Sequence, residues 1–379
     1  MLNIVLQDKD KQTNMLEKAA REFARKQLAP NREQQDKYPF APFFDSVLGK
    51  AFDLDFFSIL LPEDLDGMGM DIRDFSLVLE NICQEDSSLG GIMFTNSAAQ
   101  QIMLQSEGKK LLQKLSSAEN VYDFLIAFPS FVSPREVNIL PEAKKENGKY
   151  RISGSLEYVV LGNLAGYGLI PAKIRDQANC SYFLVDLSDQ GVLKSEPVLS
   201  LGLRSCPAVD MGFHEASAEL AGEEGRGEQY FNRMADRLNV AAAAMSLGIM
   251  KGSFREAFDY SKERLQGGQE IIKWSEVKGM ISNMAIAVQN ADMSLSMAAS
   301  MVDAQEPGWE QCTRAAALEI QRTACDVTSD GIQVLGGVGY MKDFGQEKRF
   351  RDAKQIQSLL GMAPAKRINY LESYIKPKS

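Results

Sequence analysis

A glycine-rich segment near the carboxyl end holds the residues whose types and spacing best suit chemistry. Residues 331–340 read G-I-Q-V-L-G-G-V-G-Y, and residues 349–354 read R-F-R-D-A-K. Gly336 and Gly337 allow backbone N–H groups to approach a phosphate closely, and Gln333 offers a directional amide. Because glycines also end ordinary helices, this spacing alone leaves both phosphate binding and helix capping open.

Histidine and cysteine usage excludes several kinds of catalytic centre. The chain contains one histidine, His214, and five scattered cysteines without C-x-x-C spacing. A single histidine argues strongly against Ser-His-Asp and Cys-His catalysis and against multi-histidine zinc sites, so we expect no metal ion. His214 follows an apolar alternation, which predicts a structural residue at a strand end. The cysteines indicate small apolar roles in a reducing cytoplasm.

Charge and hydropathy exclude two classes of partner. The net charge of -9 and a pI near 5.0 argue against nucleic-acid binding, which favours a basic face. No apolar run reaches the roughly 18 residues that a membrane-spanning helix needs, so we expect no membrane span. The 379 residues are enough for two or three domains.

Three zones of different periodicity must position these residues, and together they predict an α+β fold. Helical spacing over residues 1–120 predicts an N-terminal α-helical domain, interrupted by the loop P-E-D-L-D-G-M-G at 62–69. Period-two runs over 121–228 predict a middle β-barrel or sandwich domain, with a hairpin turn at Asn147 and Gly148. Long apolar patterns over 229–379 predict a C-terminal four-helix bundle with helices at 234–263, 275–305, 312–335 and 354–375.

Several segments in collinear order resemble the acyl-CoA dehydrogenase family. Besides 331–340 and 349–354, residues 62–69 resemble its P-E-x-x-G-G-x-G loop and residues 201–205, L-G-L-R-S, its L-G-x-R-x-S segment. Residues 223–227, E-E-G-R-G, resemble its G-x-E-G-x-G turn, and residues 263–266, E-R-L-Q, its E-R-x-x-F-G segment. The resemblance implies FAD between the β domain and the bundle, an acyl-CoA beside it, and a glutamate that removes the α-proton while hydride passes to the flavin.

The chain departs from the family where that glutamate is expected. Aligned on residues 351–354, Leu360 occupies the glutamate position of the Y-E-G-T segment, and Met362 and Lys366 replace the threonine and glutamine that follow it. Leu238 occupies the alternative glutamate position in the first bundle helix. Since leucine cannot accept a proton, we predict no catalytic residue at either position.

The expected FAD contacts divide into two sets. The first set contacts the flavin of the same subunit. At its positions, Tyr158 and Val160 replace the tryptophan and threonine of the family's W-I-T segment, and Phe128 replaces the glutamate of its T-E-P segment. The set that reaches a neighbouring subunit's flavin is largely retained, although Gly267 replaces a family phenylalanine. The resemblance assigns that second set to Arg264, Gln266, Gln333, Gly336 and Gly337.

The resemblance also implies substrate contacts. Ser133 matches the serine of the family's G-S-D segment, and Asn239 stands at an arginine position in the first bundle helix. Asp236 matches an aspartate near CoA in some members. An acidic residue at a helix N-terminus is the other interpretation of Asp236, and it is the one we favour.

Four functions fit this pattern. The leading hypothesis is a partner subunit of an FAD-dependent acyl-CoA dehydrogenase, which completes the FAD site of a catalytic homologue in a heterotetramer. The second is an acyl-CoA enzyme with non-redox elimination chemistry. The third is a dehydrogenase with an unrecognised base, and the fourth is a CoA-thioester-binding scaffold. We expect an oligomer in every case, either the heterotetramer or a homotetramer. Electron-transfer flavoprotein is a further expected partner.

Overall fold

The computed structural model describes residues 11–37, 45–105, 108–146 and 148–375, and its first region is helical, as the sequence predicts. The loop predicted at 62–69 separates the third and fourth helices, with Asp66 and Gly69 at positive φ. The helices of this region are α1 Lys11–Phe23, α2 Arg32–Gln35, α3 Asp45–Asp53, α4 Ile72–Cys83, α5 Ser87–Leu104, α6 Lys109–Ser116 and α7 Val121–Phe124.

A closed β-barrel follows. Strands β4, β2, β3, β7 and β5 pair in that order, and β5 pairs again with β4, which closes a five-stranded ring. Strand β1 pairs with β4, and β6 with β7. Closure protects the strand edges from other chains. The strands are β1 Ile126–Ala127, β2 Glu142–Glu146, β3 Lys149–Val160, β4 Tyr167–Ile174, β5 Cys180–Asp186, β6 Val192–Lys194 and β7 Ala208–Leu220.

The predicted hairpin is present, whereas the expected place of the histidine is wrong. Strands β2 and β3 run antiparallel up to the pair Glu146 and Lys149; Asn147 of the turn lies outside the described residues. His214 lies inside β7 rather than at a strand end. The pairing of β3 with β7 is irregular there, and Glu215 has a φ of 52°. This bulge breaks the apolar alternation, although the strand continues beyond it.

A helical bundle forms the last region. Its helix α8 packs against α4, α5, α9, α10 and α11, and a short hairpin of β8 Leu265–Gln266 and β9 Gln269–Glu270 follows α8. Among the described residues, no helix is both long and apolar enough to cross a bilayer. The helices are α8 Gly227–Glu263, α9 Ser275–Asp303, α10 Trp309–Leu335, α11 Gln346–Ile356 and α12 Ala363–Ile375.

The continuous helix predicted at 354–375 is wrong, because α11 and α12 are separate. Leu360 and Gly361 have φ values of 62° and 120°, and a right-handed helix cannot pass through such residues. The Leu360 N–H donates to the carbonyl of Ser130 in the barrel at 2.8 Å. This tertiary hydrogen bond fixes the break, and an apolar pattern read along the chain does not show it.

Gly248 in α8 allows α4 to approach closely, so we expect Gly248→Ala to lower the free energy of unfolding by about 1–3 kcal/mol. A Cβ at Gly248 would lie 2.4 Å from the carbonyl oxygen of Glu80 and 2.9 Å from Cys83 Cβ. In α9, Gly279 has nothing within 4 Å of its Cβ position, and Gly279→Ala should stabilise by about 0.5–1 kcal/mol. Urea denaturation measures both; equal effects would contradict the packing argument.

Candidate functional site

A cavity of about 410 Å³ lies where the barrel meets the bundle. The loop after β1 gives one wall with Ser133, and α8 gives another with Asp236 and Asn239. Helices α10 and α12 and the side chain of Leu360 complete it. The cavity therefore brings together five residues that the sequence singled out from three distant segments, which are Ser133, Asp236, Asn239, Leu360 and Lys366.

Asp236 forms an ion pair on the cavity wall. Its Oδ1 and Oδ2 accept from Arg314 Nε and Nη2 at 2.6 and 2.7 Å. Burial raises the pKa of Asp236, although the hydrogen bonds and the charge of Arg314 act to lower it. The hydrogen bonds to Asp236 raise the pKa of Arg314. The interpretation of Asp236 as an N-terminal helix acid is wrong, since α8 begins at Gly227, well before the predicted start at residue 234.

Leu360 contributes only apolar surface to the cavity, and it is 4% exposed. Beside it, Lys366 Nζ donates to the carbonyls of Gln357 and Leu359 at 3.0 and 2.8 Å and to Gln321 Oε1 at 3.3 Å. Burial lowers the pKa of Lys366 to about 8. Three acceptors match the three N–H groups of the ammonium, so Lys366 holds the segment between α11 and α12 in place.

The other expected glutamate position lies in the core. Leu238 is 0% exposed and does not line the cavity, whereas its neighbour Asn239 does. Sequence reasoning missed the carboxylate nearest the Leu360 segment, which is Glu136. Both Glu136 carboxylate oxygens accept the Met362 N–H at 3.2 Å. The S-x-x-E spacing of Ser133 and Glu136 was an available signal, since it forms a capping box here.

Sequence reasoning gave no indication of two other cavity residues, Arg314 and Gln321. Both lie on α10, about two helical turns apart, and in the sequence they resemble the polar residues of an ordinary solvated helix face. Arg314 pairs with Asp236 on α8, and Gln321 Nε2 donates to the carbonyl of Ile356 at 3.1 Å. Their place in the cavity depends on helix packing, which the sequence pattern does not specify.

The positions expected to contact the chain's own flavin are packed against protein atoms. Val160 is 0% exposed, and its backbone exchanges two hydrogen bonds with Phe128, at 3.0 and 3.2 Å. The Tyr158 hydroxyl accepts from Gln355 Nε2 and lies 2.8 Å from Ser200 Oγ. Because a flavin needs an open face and unpaired polar groups around its edge, these residues do not fit one.

The positions expected to contact a neighbour's flavin are exposed and lie at the opposite end of α8 from the cavity. Arg264 follows α8, Gln266 ends β8, and Gln333 lies in the last turn of α10. Gly336, with a φ of 62°, has nothing within 4 Å of its Cβ position, and Gly337 beside it is also exposed. Within the described ranges, no hydrogen bond or ion pair engages the side chains of Arg264 and Gln333. The Gly336 N–H caps α10 by donating to the carbonyls of Gln333 and Ile332, so the free donors here are the guanidinium and the amide. Together with the open space beside Gly336, they fit the phosphates of FAD.

Known families and proteins match most of the chain. The model of the acyl-CoA dehydrogenase N-terminal domain matches residues 10–115, and that of the C-terminal domain matches residues 225–365. Cyclohex-1-ene-1-carbonyl-CoA dehydrogenase of Syntrophus aciditrophicus is 27% identical over 358 residues, covering 92% of this chain and 86% of the relative. The caffeyl-CoA reductase-Etf complex subunit CarC of Acetobacterium woodii is 25% identical over 366 residues, covering 90% and 93%.

Solved structures share the whole architecture. A chain in a structure described as electron transferring flavoprotein of Acidaminococcus fermentans has a TM-score of 0.89 at 25% identity, covering 98% of this chain and 99% of that one. Butyryl-CoA dehydrogenase of Megasphaera elsdenii has a TM-score of 0.88 at 20% identity, covering 98% and 100%. With both family domains matched in order around a shared barrel, the chain belongs to the acyl-CoA dehydrogenase family.

Proposed function

We propose that this chain is a subunit of an FAD-dependent acyl-CoA dehydrogenase complex and completes the FAD site of a catalytic homologue. The observation that carries the proposal is the exposed set of Arg264, Gln333, Gly336 and Gly337, in which the Arg264 and Gln333 side chains have no partner within the described ranges. Exposed and unpaired donors that suit phosphate favour a ligand held by another chain. FAD bound there would supply the hydride acceptor that no amino acid offers.

The distance along α8 supports a division between two sites. Asn239 lines the cavity, and Arg264 follows the last residue of the helix. At 1.5 Å per residue, the two lie about 38 Å apart along the helix axis. A single ring system cannot contact both ends, so the cavity and the donor set serve different ligand sites.

Two carboxylates of the cavity, those of Asp236 and Glu136, are already engaged, which supports a non-catalytic role. Asp236 is held by Arg314, and Glu136 accepts backbone N–H groups from Ser133 and Met362. We assign the cavity to the acyl-CoA, with Ser133, Asp236 and Asn239 along its walls. The acyl-CoA that is oxidised then lies beside the flavin of the homologue, which also removes its α-proton, and an acyl-CoA in this cavity is not turned over.

An active dehydrogenase with Glu136 as its base is the second candidate, and one contact favours it. The Cβ position of Gly361, next to Leu360, lies 3.1 Å from Glu136 Oε1, so this carboxylate borders the segment where the family places its glutamate. If Glu136 is the base, Glu136→Gln should lower turnover by roughly 10²- to 10⁴-fold. Under the partner-subunit proposal, turnover of the complex stays unchanged.

The complex is a heterotetramer with the homologue in this proposal, and a homotetramer is its alternative. Electron-transfer flavoprotein is the proposed electron acceptor, in keeping with the relative named as a subunit of a reductase-Etf complex. We place the chain in the cytoplasm, which suits its five unpaired cysteines.

The visible absorption spectrum of the purified chain tests the proposal. The chain should be colourless alone and should give a yellow complex when co-expressed with a family member that retains the Y-E-G-T glutamate. We expect about half a flavin per chain in that complex, measured after denaturation. A lone chain that binds equimolar FAD and oxidises an acyl-CoA would overturn the proposal.

A further inference from the structure

We infer that the cleft in which this chain would hold its own flavin is closed by its own side chains, so each pair of chains carries one FAD. The closing contacts form a seam, defined by Ser130, Tyr158 and Ser200 of the barrel and by Gln355 and Leu360 of the bundle. The inference deepens the proposed function and rests on it for the stoichiometry of the complex. The closure itself concerns this chain alone.

The side-chain part of the seam centres on Tyr158. Its hydroxyl lies 2.8 Å from Ser200 Oγ and accepts from Gln355 Nε2, while Gln355 Oε1 accepts the Gly202 N–H at 2.8 Å. The Tyr158 ring meets Phe131 edge-on, with 5.5 Å between centroids. Tyr158 and Gln355 thus bind each other across the place where a flavin would separate the barrel from the bundle.

The backbone part of the seam joins the same two regions. The Leu360 N–H donates to the Ser130 carbonyl at 2.8 Å, and Ser130 is 0% exposed. Leu359 and Leu360 are 1% and 4% exposed, and Val160 on the barrel side is 0% exposed. Apart from the part of Leu360 that lines the cavity, the apolar surfaces on both sides of the seam are therefore covered by protein.

Backbone conformation also marks the seam. Tyr158, Leu203 and Leu360 have φ values of 55°, 49° and 62°, a region that residues with side chains rarely adopt. Such strain persists only where surrounding contacts over-determine it. The Leu203 N–H donates to Asp352 Oδ1 at 2.8 Å, which adds a further bond between barrel and bundle. Opening the cleft for a flavin would require breaking this whole set together.

Titration of the purified full-length chain with FAD alone tests the closure. The melting temperature should stay constant at FAD concentrations that saturate the complex, because a ligand that binds the native state raises it. A single cooperative melting transition shows that the chain is folded. Binding of one equivalent of FAD with a raised melting temperature, retained when Arg264→Ala and Gln333→Ala are combined in the lone chain, would overturn the closure whether or not the complex forms.

Tyr158→Phe in the co-purified complex gives the second readout. It removes the hydroxyl held by Gln355 and Ser200, so we expect the melting temperature to fall by about 2 °C. Flavin per complex and the flavin absorption maxima should be unchanged. A spectral shift or flavin loss would show that Tyr158 contacts a flavin and would refute the closure. A complex without flavin, or no complex at all, would instead refute the proposed function and leave the result with the lone chain standing.

Discussion

Arg264→Ala combined with Gln333→Ala should remove FAD from the complex of this chain with its catalytic homologue. Each side chain is exposed and, within the described part of the chain, has no hydrogen-bonding partner of its own, so neither substitution disturbs the fold of this chain. A charge-assisted hydrogen bond contributes about 1.5–3 kcal/mol, which corresponds to roughly 10- to 150-fold in the dissociation constant for the arginine alone. We therefore expect turnover to fall in proportion to flavin content.

Flavin content and assembly state must be measured on the same sample. Size-exclusion chromatography with light scattering reports the complex, and absorption after denaturation reports the flavin. Arg322→Ala is the matched control, because Arg322 is an exposed arginine that pairs with Glu319 and Asp326 on its own helix. An intact complex with full flavin in the double variant would contradict the assignment of these donors.

Lys348→Met should cause the largest loss of stability, about 3–5 kcal/mol, because it leaves two buried carboxylates without their cation. Lys348 Nζ lies 2.9 Å from Asp86 Oδ1 and 2.8 Å from Asp352 Oδ2, and the three side chains are 6%, 1% and 2% exposed. Burial acts to lower the pKa of Lys348, but Asp352 and Asp86 outweigh it and raise that pKa. The ion pair joins the start of α5 to α11.

Urea denaturation with fluorescence detection measures this effect. Lys262→Met is the control, since Lys262 is exposed and pairs with Asp259 within one turn of α8, and it should change stability by less than about 1 kcal/mol. Adding Asp86→Asn to Lys348→Met should restore part of the loss, because asparagine removes one unpaired charge and still caps α5. A loss below about 1 kcal/mol in Lys348→Met would show that water reaches the two carboxylates.

Much of the fold could be predicted because local patterns determine it. The hairpin between Glu146 and Lys149 follows from the turn residues between them, and α9 and α10 follow from their apolar spacing. The break at Leu360 could not be predicted, because a hydrogen bond to Ser130 in a distant loop holds it. The place of His214 could not be predicted either, because β7 continues past an irregular pairing with β3 and His214 lies inside the strand rather than at its end.

Only those site residues that match a motif of the family could be predicted from the sequence. The family resemblance indicated Ser133, Asp236 and Asn239, which the structure brings to one cavity. The partner that determines the chemistry of Asp236 is Arg314, 78 residues further along the chain, and no spacing rule connects them. Assignment of these residues to substrate, and of Arg264 to a neighbour's FAD, stays a prediction.

Helix α8 has a mechanical consequence because it runs from the cavity to Arg264. Its 37 residues form a rod about 55 Å long at 1.5 Å per residue. Arg264 lies about 38 Å along this axis from Asn239 in the cavity wall, so a tilt of about 1.5 degrees around Asn239 would displace Arg264 by about 1 Å, which is enough to break a hydrogen bond. A ligand in the cavity that rotates α8 slightly at Asp236 would therefore move Arg264 relative to the ligand that Arg264 binds.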